Sequence, residues 1–78
     1  MASPTLVDAR GHRCPVPTLR LRRALESAPP GGQILLIADD PMARIDVPHF
    51  ASSAGATVDS ITDGDSGSIS FLVTKKAP

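Results

Sequence analysis

The only cysteine of the 78-residue chain, Cys14, is its best candidate for a reactive side chain. It lies in the segment Gly-His-Arg-Cys-Pro-Val-Pro at positions 11–17, where a predicted strand gives way to a predicted helix. Pro15 fits the first helical position, and Pro17 is still within the first turn, where a missing N–H breaks no helical hydrogen bond. The spacing therefore predicts that Cys14 is the N-cap residue of a helix.

An N-cap position favours the thiolate form of a cysteine. The N–H groups of Val16 and Thr18 are expected to point outward beside Cys14, and the positive end of the helix dipole stabilises negative charge there. A favourable helix end contributes ~0.3–1 kcal/mol and at most ~2 kcal/mol, so the helix lowers the thiol pKa by about one unit at best. The nearby Arg10 and Arg13 add positive charge. We therefore expect an exposed, activated thiol.

Two other interpretations of Cys14 are weaker. A lone cysteine in a small domain is most often an inert core residue, but a polar loop between Arg13 and Pro15 is a poor environment for a core side chain. His12 and His49 together with the cysteine match no zinc-binding spacing. We therefore expect no metal and no cofactor.

Most of the other charged residues have simpler explanations. Capping of a second helix explains at least one of Asp39 and Asp40, which precede a proline. The arginines at positions 20, 22 and 23 are most simply a solvated helix face. Five charged residues remain candidate contacts with a partner protein: Arg10, Arg13, Arg20, Asp39 and Asp40.

The elements that position Cys14 are predicted in the order β-α-β-α-β-β. Gly11 closes the first strand, and the proline and glycine residues at 29–32 end the first helix. That helix has one apolar stripe, formed by Pro17, Leu21, Ala24, Leu25 and Ala28. The predicted boundaries are strand 5–8, helix 15–28, strand 33–38, a second helix beginning at 39–41, and a hairpin of strands 56–62 and 68–74.

The second helix is predicted to stop at Gly55. Pro48 would remove a hydrogen bond inside it, so we expect a single turn and then a restart capped by Asp46. In the third strand, Val58 and Ile61 have opposite parity. Either one of them faces away from the core or a β-bulge intervenes.

Right-handed crossovers put both helices on one face of a four-stranded mixed sheet. The expected fold is therefore an α/β (α+β) two-layer sandwich whose second sheet face is open. Strand 33–38 is apolar on both faces, so the open face is expected to carry an apolar strip suited to a partner or to self-association. The expected state is a monomer or a weak dimer.

Length and composition exclude several classes of protein. Seventy-eight residues form one domain, 1–78, with a thin core and no deep active site. Eight basic residues balance eight acidic ones, and the only aromatic residues are two phenylalanines, which argues against nucleic-acid binding. The N-terminus does not resemble a signal peptide, and the longest aliphatic run, 34–38, is too short for a membrane span. With a single cysteine, a reducing cytoplasm is the expected location.

Four stretches of the chain together resemble the TusA-like, or SirA-like, sulfur-carrier family. They are Leu-Val-Asp-Ala-Arg-Gly-His-Arg-Cys-Pro-Val-Pro at 6–17, Pro-Gly-Gly at 30–32 followed by Ala-Asp-Asp-Pro at 38–41, and Asp-Val-Pro at 46–48. The Asp-x-x-Gly-x-x-Cys-Pro-x-Pro pattern joined to a later Asp-Asp-Pro is a specific combination. The likeness extends to about Lys75, and family members resemble a two-layer sandwich of the element order predicted above.

The resemblance implies that Cys14 carries sulfur as a persulfide. The sulfur would come from a cysteine desulfurase or a rhodanese-type donor and pass to a DsrE-like protein or a thiolation enzyme. It would then serve tRNA 2-thiolation, molybdenum-cofactor synthesis or sulfur oxidation, and the sequence does not choose between them. Such a chain is a sulfurtransferase-type carrier without small-molecule turnover of its own. The motif residues expected to support the sulfur are Gly11, Pro15, Val16, Pro17 and Thr18.

The alternative function is a non-catalytic protein-binding or regulatory module. In that case the open sheet face binds the partner and Cys14 merely packs. Direct RNA binding would rest only on analogy between folds, and the neutral charge and few aromatic residues count against it.

Overall fold

The computed structural model describes residues 3–13 and 15–76, so Cys14 lies outside the described residues. Within these ranges the elements are β1 (Thr5–Asp8), α1 (Val16–Ser27), β2 (Gln33–Ala38), α2 (Ala43–Ser53), β3 (Ala56–Asp63) and β4 (Ile69–Lys75). A short 3-10 helix, Asp65–Gly67, joins the last two strands. The predicted element order is confirmed.

The four strands form one mixed sheet in the spatial order β1-β2-β4-β3. β1 is parallel to β2, and β4 runs antiparallel to both of its neighbours. The two helices pack against each other and against one face of the sheet. This arrangement is the two-layer sandwich expected from the sequence.

The core lies between the helices and the sheet face that they cover. Its residues follow the period of their own elements, four apart in the helices and two apart in the strands. The largest of the fully buried side chains are Phe71, Leu21, Ile34, Leu36, Val47, Val73 and Pro17.

Helix α1 begins one residue later than predicted. Pro15 is its N-cap, with φ −93° and ψ 11°, and Val16 is the first helical residue. The Val16 N–H donates to the carbonyl oxygen of Arg13 over 2.9 Å. The prediction that Cys14 is the N-cap and that this N–H faces outward is therefore wrong. A turn precedes the helix, and Pro17 takes the second helical position, which tolerates a missing N–H as well as the first does.

Helix α2 continues through Pro48, so the predicted restart at Asp46 is also wrong. Ala43, Val47 and Ala51 lie four residues apart and form one buried stripe that spans the proline. Tertiary packing of an apolar stripe supplies most of the stability of a protein helix. That packing outweighs the one backbone hydrogen bond that the proline cannot make.

A β-bulge in β3 explains the parity conflict of the third strand. The register shifts after Val58, which pairs with Val73, whereas Ile61 pairs with Phe71. Val73 and Phe71 are both buried on the helix side of the sheet. The bulge therefore brings Val58 and Ile61 to the same face.

The uncovered sheet face carries a short apolar row. Leu6, Leu35 and Leu72 are paired across three neighbouring strands. Leu6 is 61% exposed, and the other two are half-buried. The apolar strip predicted for this face is present as this row.

Within the described part of the chain, neither helix is long and apolar enough to cross a bilayer.

Candidate functional site

The loops that follow β1 and β2 meet at one edge of the sheet. The two strands are parallel neighbours, so their carboxyl ends lie side by side. Residues 9–13 lead from β1 toward Cys14, and residues 39–42 lead from β2 toward α2. Cys14 itself is outside the described residues, but its chain neighbours Arg13 and Pro15 are both exposed.

The chain turns sharply after β1. Ala9 is fully buried, and its N–H donates to the carbonyl oxygen of Ile37 over 2.7 Å. The His12 N–H donates back to the Ala9 carbonyl oxygen over 3.3 Å, which closes the turn. Gly11 has a φ of 83° within it. Since side chains disfavour this region, the turn requires glycine there.

Asp39 joins this turn to the end of β2. Both of its carboxylate oxygens lie 3.0 Å from the Gly11 nitrogen and accept its N–H. Asp40 has a different role, because its carboxylate accepts the N–H of Met42 over 3.0 Å. This contact closes a turn before α2, which begins at Ala43 rather than at 39–41. Met42 is the N-cap of α2, and no side chain caps the helix. The prediction that an aspartate caps the second helix is therefore wrong.

Asp8 holds two of the candidate arginines. Its carboxylate accepts the backbone N–H of Arg10 over 3.1 Å and two guanidinium hydrogen bonds over 2.9 and 2.8 Å. Its carbonyl oxygen accepts a hydrogen bond from Arg20 over 2.7 Å. The hydrogen bonds from Arg10 lower the pKa of Asp8 to about 2 and raise the pKa of Arg10. Both arginines thus brace the strand that leads into the turn.

Two shallow depressions flank the cysteine in the chain. The first has a volume of 550 Å³ and is lined by Gly11, His12, Arg13, Asp39, Asp40, Pro41 and Met42. The second has a volume of 290 Å³ and is lined by Pro15, Thr18, Asp46, His49, Phe50 and Ser53. Arg13, which precedes the cysteine, lines the first depression, and Pro15, which follows it, lines the second.

The hydroxyl of Thr18 is an unusual feature of the second depression. Its Oγ1 atom is buried and has no hydrogen-bond partner among the described residues. Nearly all buried polar groups in native structures have a partner. The first turn of α1 therefore presents a hydroxyl that the described part of the protein does not use.

The two histidines do not share a depression, because His12 lines the first and His49 the second. Among residues 3–13 and 15–76, no three potential ligands from His, Cys, Asp and Glu come together.

Comparison with known proteins identifies the family. Residues 5–75 match the model of the family described as sulfurtransferase TusA. The chain belongs to the TusA family. A crystal structure of a SirA-like protein from Desulfitobacterium hafniense superposes with a TM-score of 0.81 at 26% sequence identity, over 94% of this chain and 99% of that one. The TusA family consists of sulfurtransferase-type carriers that pass sulfur to partner proteins.

The predicted site residues divide into groups. Gly11, Arg13, Asp39 and Asp40 share the first depression. Pro15 and Thr18 lie at the second. Val16 is exposed at the start of α1, whereas Pro17 is buried in the core. Arg10 and Arg20 lie beside Asp8 instead.

Sequence reasoning missed the α2 side of the second depression. Asp46, His49, Phe50 and Ser53 line it together. They stand at i, i+3, i+4 and i+7, a spacing that shares one helix face. A signal was therefore present, but the expected break at Pro48 concealed it.

Proposed function

We propose that this chain is a sulfur carrier that accepts sulfane sulfur as a persulfide on Cys14 and passes it to a partner protein. The observation that carries the proposal is the TusA family match over residues 5–75, a range that contains the only cysteine of the chain. The exposure of Arg13 and Pro15 on either side of the cysteine supports it.

Each transfer is a thiol exchange that needs no oxidant, reductant or cofactor. The Cys14 thiolate attacks the outer sulfur of the donor's persulfide, so a new S–S bond forms while the donor's S–S bond breaks and the donor leaves as a thiolate. The acceptor's thiolate then attacks the outer sulfur on Cys14 and regenerates the Cys14 thiolate. The sum moves one sulfur from donor to acceptor.

The surroundings of Cys14 suit a reaction inside a second protein's site. Arg13 is exposed, and its side chain makes no hydrogen bond or ion pair with another described residue, so it is a candidate docking contact. Arg10 and Arg20 are exposed as well but already bind Asp8. We propose a cysteine desulfurase or rhodanese-type protein as the donor and a DsrE-like protein or thiolation enzyme as the acceptor. These acceptors would lead to tRNA 2-thiolation, molybdenum-cofactor synthesis or sulfur oxidation.

We further propose that residues 1–78 act as a single carrier domain in the cytoplasm, as a monomer or weak dimer. A thiol that must be free between transfers is best maintained in a reducing compartment. The proposed carrier turns over no small molecule by itself and contacts no nucleic acid directly.

Sulfur loading and release test the proposal. The chain is incubated with a cysteine desulfurase and cysteine, separated from the donor, and treated with cyanide, which releases sulfane sulfur as thiocyanate. We expect one thiocyanate per wild-type chain and none from Cys14→Ser. The circular dichroism spectrum of Cys14→Ser should match that of the wild type, which shows that the variant is folded. Sulfane sulfur on Cys14→Ser would contradict the assignment. Thiosulfate with a rhodanese tests the other donor class.

A protein-binding module is the second candidate function, and the row of Leu6, Leu35 and Leu72 on the open sheet face favours it. If the chain is such a module, Leu6→Ser abolishes calorimetrically measured binding to its partner protein, and Cys14→Ser leaves that binding unchanged. If the chain is a sulfur carrier, Leu6→Ser still loads sulfur and Cys14→Ser does not.

A further inference from the structure

We propose that Asp39 is a positioning residue for the sulfur-transfer loop, defined here as residues 9–13, and that it acts through the Gly11 amide rather than by contact with a partner. The proposal rests on the proposed function of Cys14, since this loop leads directly into that residue.

The hydrogen bond between Gly11 and Asp39 joins the loops that follow two neighbouring strands. Asp39 stands 28 residues after Gly11, and both carboxylate oxygens are 3.0 Å from the Gly11 nitrogen. A hydrogen bond to an ionised acceptor is about twice as strong as one between neutral groups. Asp39 follows β2 directly, so the acceptor stands at the end of a sheet strand.

No packing contact on the Cβ side of Gly11 replaces this hydrogen bond. Among the described residues other than its chain neighbours, a Cβ atom placed on Gly11 would meet no atom within 4 Å. The bond that closes the turn, from the His12 N–H to the Ala9 carbonyl oxygen, is longer at 3.3 Å. The anchors at Asp8 and Ala9 hold the chain before the turn. Asp39 is therefore the strongest described link between the sheet and the half of the turn that leads to Cys14.

Two substitutions separate positioning from a charge contact with a partner. Asp39→Asn and Asp39→Ala both remove the negative charge, but only asparagine keeps an oxygen that accepts the Gly11 N–H. If the charge touched a partner, the two variants would behave alike. If the acceptor positions the loop, asparagine retains much of the wild-type behaviour and alanine does not.

Three measurements on the full chain follow the loop, the thiol and the transfer. Amide exchange of Gly11, followed by NMR, is expected to be at least about tenfold faster in Asp39→Ala than in the wild type, as expected for loss of a hydrogen bond to a charged group. Exchange in Asp39→Asn is expected to lie between the two. The rate of Cys14 alkylation by iodoacetamide at a fixed pH is expected to fall in Asp39→Ala and to stay near the wild-type rate in Asp39→Asn. Sulfur loading by a desulfurase should be slower in Asp39→Ala than in Asp39→Asn.

Glu26→Gln is the matched control. Glu26 is an exposed carboxylate that pairs with Arg22 on α1 over 3.3 Å, away from both depressions beside the cysteine. Removing its charge should change none of the three measurements.

The proposal is overturned if Asp39→Asn and Asp39→Ala show the same rate of Gly11 amide exchange and the same rate of Cys14 alkylation. It is also overturned if the two variants change the binding of the donor protein but leave Gly11 exchange and Cys14 alkylation as in the wild type. Failure of the proposed function gives a different pattern, because the wild-type chain would then take up no sulfur from either donor class. In that case Gly11 exchange and alkylation still report whether Asp39 orders the loop.

Discussion

Replacement of Gly11 by alanine tests whether the conformation of the sulfur-transfer loop matters for the reaction. The chain offers a matched control, because Gly31 has nearly the same positive φ, 79° against 83°. An added Cβ at either glycine has no atom of a described residue within 4 Å, apart from its chain neighbours. Gly31 lies between α1 and β2, where its N–H donates to the Lys75 carbonyl oxygen. The two substitutions therefore differ only in where the same strain is placed.

The magnitude follows from the empty space around both positions. With no clash, the cost is the intrinsic cost of a left-handed backbone for alanine, ~1–2 kcal/mol. The lower entropy of the unfolded alanine chain offsets ~0.4–1 kcal/mol of that cost. We expect each variant to lose about 1 kcal/mol of unfolding free energy in urea titrations. A loop that relieves this strain by leaving its position would lower the reactive population up to about fivefold.

Sulfur loading and Cys14 alkylation distinguish the two variants. We expect both rates to fall in Gly11→Ala and to remain at the wild-type level in Gly31→Ala, at equal unfolding free energy. Equal rates in the two variants would refute the idea that the turn at Gly11 positions the cysteine. A Gly11→Ala variant as stable as the wild type would refute the strain calculation.

The remaining predictions concern charge and packing. Carboxyl NMR of Asp8 should give a titration midpoint close to 2, against the ordinary 3.8, and Arg10→Gln should return it toward 3.8. The pKa of Asp8 is lower in the folded chain than in the unfolded one, so the stability contributed by the Asp8–Arg10 pair is complete above about pH 4 and is lost as the pH falls through 2. A midpoint near 3.8 for Asp8 in the wild-type chain would contradict the hydrogen bonding described. Leu21→Ala, at a fully buried position, should cost ~2–5 kcal/mol of unfolding free energy in urea, whereas Leu19→Ala, 53% exposed, should change it by ~0.5 kcal/mol or less. Equal costs would show that α1 does not pack as described.

The sequence predicted the elements whose patterns are local. The stripe of α1 and the alternation of β4 each repeat with the period of their own structure, and their burial follows that pattern. The errors came where long-range packing competes with a local rule. Pro48 removes a local hydrogen bond, but the packing of Val47 in the core keeps α2 continuous. The start of α1 was misplaced because Pro15 and Pro17 fit either of two adjacent registers.

The meeting of the two loops was predictable from the sequence, but the hydrogen bonds between them were not. Residues 9–13 and 39–42 each follow a strand, and the two strands are parallel neighbours, so the proximity of the loops follows from topology. The division of work between Asp39 and Asp40 does not follow from spacing. It depends on where the Gly11 N–H points, which the turn conformation sets.

The intact mass of the chain after incubation with a cysteine desulfurase and cysteine shows whether Cys14 carries sulfur. We expect the wild-type chain to gain the mass of one sulfur and to lose it on treatment with a thiol reductant, and we expect Cys14→Ser to gain nothing. A wild-type chain that gains no sulfur from a desulfurase or a rhodanese, with a thiol that iodoacetamide cannot reach, would contradict the proposal that Cys14 carries sulfur.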